Sequence, residues 1–283
     1  MTSIDTARRQ TARKTAIALI SSALALFAVA SQAPAETGLS PEEKAAQTDS
    51  AWPDLKSELF GDKTLIENTA TIAIDAPKRA TDPAVVPVKL TFDPKMQVRK
   101  VTLVIDENPS PVAATFAFAD GAKISQLSTR VRVNAYTNVH AVAETADGKL
   151  YVTKTFVKAA GGCAAPASKD PETASREMGK MKMRVFKTDD PGVHEAQLMI
   201  RHPNNSGLQK DQVTLLYIPA HFITDLELDK GGKPLFTMTG GISISEDPSF
   251  RFRYGADDTG PFHAKATDTE NMVFEKSFDN VQS

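Results

Sequence analysis

The feature that most constrains this chain is its punctuation. From about residue 70 to residue 158, and again from residue 180 onward, short runs rich in Val, Ile, Thr and Phe are separated by turn residues. Many of these runs alternate in polarity, as in Val131-Arg132-Val133 and Tyr151-Val152-Thr153-Lys154-Thr155-Phe156-Val157. A period of two places alternate side chains on opposite faces of a pleated strand, so such a run buries one face only. The spacing predicts strands at 71–74, 85–92, 98–105, 115–118, 123–133, 137–145 and 150–158, and at 181–187, 195–201, 222–228, 235–239, 249–253, 262–267 and 272–278. Ala146-Asp147-Gly148-Lys149 and Asp229-Lys230-Gly231-Gly232-Lys233-Pro234 are hairpin turns, where Gly supplies the positive φ of the tight turn. About seven strands per hundred residues, twice, is the pattern of two immunoglobulin-like β-sandwiches. The expected class is all-β, with a short N-terminal helical segment and a flexible linker between the sandwiches.

The helical signal lies before the strands. Ser40-Pro41-Glu42-Glu43 has the residues of a capping box with Pro at the first helical position. Trp52 and Pro53 are read as interrupting that helix, with a further turn from Leu55 to Phe60 ending at Gly61. Ahead of it, Arg8, Arg9, Arg13 and Lys14 precede a 15-residue apolar run, Ala16 to Ala30, and then the small-x-small site Ala33-Pro34-Ala35. This is the layout of a secretory signal peptide at residues 1–35; a membrane span needs about 20 apolar residues. Gln10-Thr11-Ala12 lacks the bulky apolar residues that follow a twin-arginine pair, which favours the general secretory route. Cleavage after Ala35 removes four basic residues and one acid, taking the formal net charge from −2 to −5. The expectation is an exported, periplasmic protein without a membrane anchor. An acidic chain has no phosphate-backbone footprint, so nucleic acid is not an expected partner.

Residues 159–179, Ala-Ala-Gly-Gly-Cys-Ala-Ala-Pro-Ala-Ser onward, contain no bulky apolar residue before Met178. Such a segment cannot bury a face and reads as a linker between a domain at 36–158 and a second at 180–283. Cys163, the one cysteine of the chain, lies in it. A single cysteine excludes an internal disulfide and any multi-cysteine metal site. Gly161 and Gly162 free the backbone just before the thiol, and Lys158 and Lys169 are the nearest charges in sequence, which would modestly favour the thiolate. The reading is a thiol on a flexible arm, reaching about 16 Å from the preceding strand at about 3.3 Å per residue. The plain alternative is an incidental surface cysteine. A Cys–His enzyme needs a nucleophile held rigidly by its base, and a Gly-Gly linker does not supply that. No two of His140, His194, His202, His221 and His263 have the close spacing of a zinc ligand pair, so neither a metal nor another cofactor is expected. Pro203 to Gly207, a candidate binding loop, and the paired basic residues Arg251 and Arg253 are explained by turn chemistry and a solvated strand face.

Asn108-Pro109, Ala114-Thr115-Phe116, Ser128-Thr129-Arg130-Val131-Arg132, Ala141-Val142-Ala143-Glu144 with Asp147-Gly148, and Gly161-Gly162-Cys163 resemble the SoxY family of bacterial sulfur oxidation. His202-Pro203, Gly207-Leu208, Lys210-Asp211 and Ile218-Pro219-Ala220-His221-Phe222-Ile223 resemble its partner family SoxZ. The resemblance covers most of the chain beyond residue 35 and implies a fused SoxYZ-like carrier with two packed immunoglobulin-like domains. It implies that Cys163 covalently holds a small, sulfur-containing group and presents it to periplasmic oxidation enzymes, without catalysis of its own. Fused proteins of this kind are associated with quinoprotein dehydrogenases, which adds such an enzyme and a c-type cytochrome as partners. The alternative is an accessory docking module whose cysteine is vestigial. In the family the arm reads Gly-Gly-Cys-Gly-Gly and ends the chain; here Ala164-Ala165-Pro166 follows the cysteine and the chain continues, so any arm is tethered at both ends.

Overall fold

The computed structural model describes residues 51–255 and 259–279. The signal-peptide reading and the helix start at Ser40 lie outside these residues. Among the described residues the chain forms fifteen strands and two short α-helices, and no helix among them is long and apolar enough to cross a membrane.

The order is α1 (Trp52–Phe60), β1 (Leu65–Glu67), β2 (Ile72–Asp75), β3 (Val86–Phe92), β4 (Val98–Ile105), β5 (Val112–Phe118), β6 (Gln126–Val131), β7 (Thr137–Thr145) and β8 (Leu150–Val157). Then come α2 (Pro171–Glu177), β9 (Met181–Phe186), β10 (Val193–Ile200), β11 (Ile223–Lys230), β12 (Lys233–Gly240), β13 (Ser249–Gly255), β14 (Phe262–Asp268) and β15 (Val273–Phe278). All fourteen strands read from polarity and turns are present. The additional strand, β1, is three residues long and pairs in parallel with β8; so short a run carries no periodicity. Pro53 does not interrupt a helix. It stands in the first turn of α1, where its missing N–H has no partner to lose. Gly61, at φ 60°, ends it.

The two halves of the fold share both layers of the sandwich. One sheet has nine strands in the order β1-β8-β7-β4-β5-β12-β11-β14-β15, and the other has six, β2-β3-β6-β13-β10-β9. The first half joins the second through antiparallel β5–β12, with Phe118 opposite Phe236 and Ala114 opposite Gly240, and through β6–β13, with Leu127 opposite Phe252. The core is correspondingly continuous. Phe116 of β5 packs edge-on against Phe236 at 6.3 Å and against Phe250 of the opposite sheet at 6.1 Å, all three fully buried. The fold is all-β and immunoglobulin-like in both halves, but the join is sheet pairing and aromatic packing, not only a tether.

Strand β3 alternates strictly between buried and exposed, as a one-faced strand must. Strand β7 is buried along almost its whole length, because α1 covers its outer face. Trp52 and Phe60 of α1 pack with Leu65 on Val142, Leu150 and Val152. The indole of Trp52 stacks on the His140 imidazole at 3.7 Å, and His140 Nδ1 meets Asp106 Oδ1 at 2.9 Å.

Candidate functional site

The segment after β8 is held against the fold along its length. Lys158 bridges to Arg79 in parallel register. The Gly161 and Gly162 amides donate to the carbonyls of Asn134 and Val133 at 2.8 and 3.0 Å. Gly161 has φ +77°, a conformation side chains rarely adopt. Gly162 is required for a different reason: a Cβ there would stand 2.1 Å from the Pro83 carbonyl oxygen and 2.6 Å from that of Val133. The second glycine therefore lets the backbone thread between two neighbouring segments of the chain.

Cys163 is fully buried, at 0% exposure, while Ala164 and Pro166 beside it are exposed. This corrects the expectation of a thiol reaching outward on a free arm. The segment lacks bulky apolar residues, yet polar side chains of the second half secure its backbone. The Ser206 hydroxyl donates to the Cys163 carbonyl and Gln209 Nε2 donates to that of Ala165 at 2.9 Å. Further along, Ser168 bonds Glu246 through its amide at 2.8 Å and its hydroxyl at 2.7 Å. Asp170 caps α2, a helix inside what reads as linker.

The charge beside the thiol also differs from the sequence reading. Lys169 is engaged by Asp247 at 2.8 Å and Glu177 at 3.5 Å. The cation that faces Cys163 is Arg132, 1% exposed. Its Nη1 donates to the Gly162 carbonyl at 3.2 Å and its Nη2 to the Asn204 carbonyl at 3.3 Å. Burial pushes the thiol above its ordinary range, against the attraction of Arg132. The resting thiol is thus protonated, where the flanking lysines suggest a more acidic one. Alternation hid Arg132: with Val131 and Val133 inward it should point to solvent. The strand ends at Val131, and Arg132 turns inward, its amide donating to the Ser243 carbonyl at 2.7 Å.

The segment 202–209 is a second site element. Asn204, at φ 44° and fully buried, sets its Oδ1 2.9 Å from His202 Nδ1 and accepts from the Ile223 amide at 3.2 Å. The structure brings His202, His221 and Asp268 together, with one ligand atom of each within 4.8 Å of the others. Their spacing of 19 and 47 residues concealed this. Asp268 Oδ2 lies 2.7 Å from His221 Nε2 and 3.4 Å from His202 Nε2, so the cluster is satisfied as a hydrogen-bonded triad. Burial holds the His202 pKa below its usual value. For Asp268 burial acts upward, but bonds from His221, the Met272 and Glu270 amides and His202 prevail and hold the carboxyl low. His263 bridges Glu275 and Asp229, and Glu275 chiefly raises its pKa. Arg251 and Arg253 bracket the Glu195 carboxylate and are not simply solvated.

Residues 56–163 match the family model of the sulfur oxidation protein SoxY, and residues 183–279 match that of the sulphur oxidation protein SoxZ. The chain belongs to the SoxY and SoxZ families, fused in tandem. The SoxY match ends on Cys163, and the segment 202–209 that holds its backbone lies in the SoxZ half. A solved structure titled the sulfur carrier protein SoxY from Chlorobium limicola f thiosulfatophilum aligns at 31% identity over 42% of this chain and 100% of that one, with TM-score 0.36. A β-glycosidase from Bacteroides vulgatus aligns at 10% identity over 74% of this chain and 24% of its own, with TM-score 0.24, too weak an overlap to bear on function. No curated protein sequence matches the chain.

Proposed function

We propose that this SoxY–SoxZ protein is a carrier in sulfur oxidation: Cys163 covalently holds a small sulfur-containing group and presents it to partner oxidation enzymes, with no catalysis of its own. The observation that carries this reading is the position of the one cysteine, at the last residue matched to SoxY and directly after the two glycines. The described SoxY relative is itself titled a sulfur carrier. Joining the Cys163 sulfur to the sulfur of a thiosulfate-type cargo releases the thiol proton and two electrons, and a c-type cytochrome partner takes the electrons. The partners we propose are sulfur-oxidation enzymes or a quinoprotein dehydrogenase with its cytochrome. The basic and apolar pattern of residues 1–35 supports reading them as a leader and the protein as periplasmic.

Burial sets a condition on this function. Loading requires the Cys163–Ala165 stretch to leave its seat, breaking the bonds from Ser206, Gln209 and Arg132 to the carbonyls of Cys163, Ala165 and Gly162, while the Gly161 and Gly162 amides and Ser168 keep their partners as hinges. At about 1 kcal/mol net for each bond, the gap is a few kcal/mol, the size that leaves an open state populated at about 0.1–10%. Because Ala164-Ala165-Pro166 continues into the SoxZ half, the thiol is presented on a loop. The buried, protonated resting thiol also favours the second reading, a docking module with an inert cysteine. Intact-mass measurement of protein isolated from cells oxidising reduced sulfur separates the two. A reductant-labile adduct on Cys163, absent in Cys163→Ser, is the expected result. An unmodified thiol, with Cys163→Ser cells growing normally on reduced sulfur or alcohols, would overturn the carrier reading. N-terminal sequencing of the periplasmic fraction should begin at Glu36.

A further inference from the structure

A cleft of about 490 Å³ lies beside the cysteine segment, with Pro166 and Ser168 in its wall. Six basic side chains line it against three acidic ones, although the whole chain has a formal net charge of −2. Two of the acids are engaged: Asp247 by Lys169 and Arg201, and Glu246 by Ser168. Lys180, Lys182 and Arg184, all exposed, make no ion pair among the described residues. The innermost basic residue is Arg132. It is 99% removed from solvent, its Nε has no hydrogen-bond partner, and no carboxylate lies within ion-pair distance of it among the described residues. Glu246 and Asp82 act on it only from beyond ion-pair distance; a buried guanidinium without a close counter-anion is costly, and its planar fork suits a tetrahedral oxoanion.

We propose that this cleft, with Arg132 at its inner end and Lys182 and Arg184 at its mouth, is a binding site for a sulfur oxoanion, and that it holds the oxidised end of the group carried on Cys163. The link to Cys163 rests on the carrier reading; the anion site does not. Pro166 is three residues beyond Cys163, so a released thiol lies within about 10 Å of the cleft at about 3.3 Å per residue. Arg132 bridges the two places, donating to the Gly162 carbonyl beside the cysteine while lining the cleft. An oxidised sulfur group on Cys163 is an anion, and here it meets the buried guanidinium of Arg132, which has no close anionic partner in the resting protein.

The test uses Cys163→Ser protein, which cannot be loaded, titrated with sodium thiosulfate at constant ionic strength and followed by amide NMR. Saturable shifts at Ser168, Lys180 and Lys182 are expected, with affinity falling about tenfold or more in Lys182→Gln/Arg184→Gln, which alters exposed side chains only. Arg132→Lys should weaken binding further while keeping the charge. Absence of saturable shifts, equal shifts with sodium chloride, or an unchanged affinity in the double variant would each overturn the site. Intact mass of the wild-type protein reports separately on the carrier reading, so an adduct without cleft binding, or cleft binding without an adduct, assigns the failure to one or the other.

Discussion

Two of the contacts between the SoxY and SoxZ halves are built differently. The seam of β5–β12 and β6–β13 combines ladder hydrogen bonds with buried aromatics, Phe116 against Phe236 and Phe250. The cysteine segment lies across the same two halves but is secured by single polar contacts to its backbone, from Ser206, Gln209 and Arg132. A seam of buried rings fails only with global unfolding. A stretch such as Cys163–Ala165, held by a few polar contacts, can open locally while the frame persists. The contrast supplies what a carrier needs, a rigid body with one releasable element.

The largest expected effect lies on the seam. Phe116→Ala should cost about 3–5 kcal/mol, read as a lowered urea midpoint with both halves unfolding in one transition. Separate transitions for the halves would show that the shared core does not couple them. At the edge of the segment, Gly162→Ala forces a methyl group against two backbone carbonyls that cannot rotate away, at about 1–3 kcal/mol. It should expose Cys163 to alkylation without abolishing the fold; unchanged labelling would mean that the close approach to Pro83 and Val133 does not seat the segment. Within the segment, Ser206→Ala and Gln209→Ala should each cost about 1 kcal/mol and speed iodoacetamide labelling of the native thiol about fivefold. Labelling already fast in the wild type would remove the contrast with the seam.

The smallest effects are in pH. His202 is held low by burial, so the unfolded chain takes up a proton near pH ~6.5 that the folded chain refuses. Stability should therefore fall as pH drops below that range. Cys163 is held high by burial, so above pH ~8.5 the unfolded chain loses a proton that the fold retains, and stability should fall as pH rises. Each slope is at most about 1.4 kcal/mol per pH unit. Urea midpoints measured from acid to alkaline pH should show both arms, and Cys163→Ser should remove only the alkaline one.

The strands were legible because their information is local. Alternation and turn residues placed β4 (Val98–Ile105) and β7 (Thr137–Thr145) to the residue. Gly161, Gly162 and Cys163 stand out in the sequence as a flexible arm, but the seating of that segment and the burial of the thiol do not. Arg132 looked outward by parity, and the triad of His202, His221 and Asp268 has no spacing that announces it. Each depends on where a chain turns after its strand ends, which neighbouring residues do not specify.

By itself the sequence determined that this is an all-β chain of two strand-rich halves with one thiol between them, since periodicity and turn chemistry act over a few residues. Only the tertiary structure decided that the halves share two sheets, that the thiol is buried, and that the Arg132 guanidinium is buried beside it. Those outcomes come from contacts between residues far apart in sequence, Ala114 with Gly240 and Leu127 with Phe252 for the sheets and Arg132 with Gly162 and Ser206 with Cys163 for the thiol, where the energy lies in contacts and not in local preference.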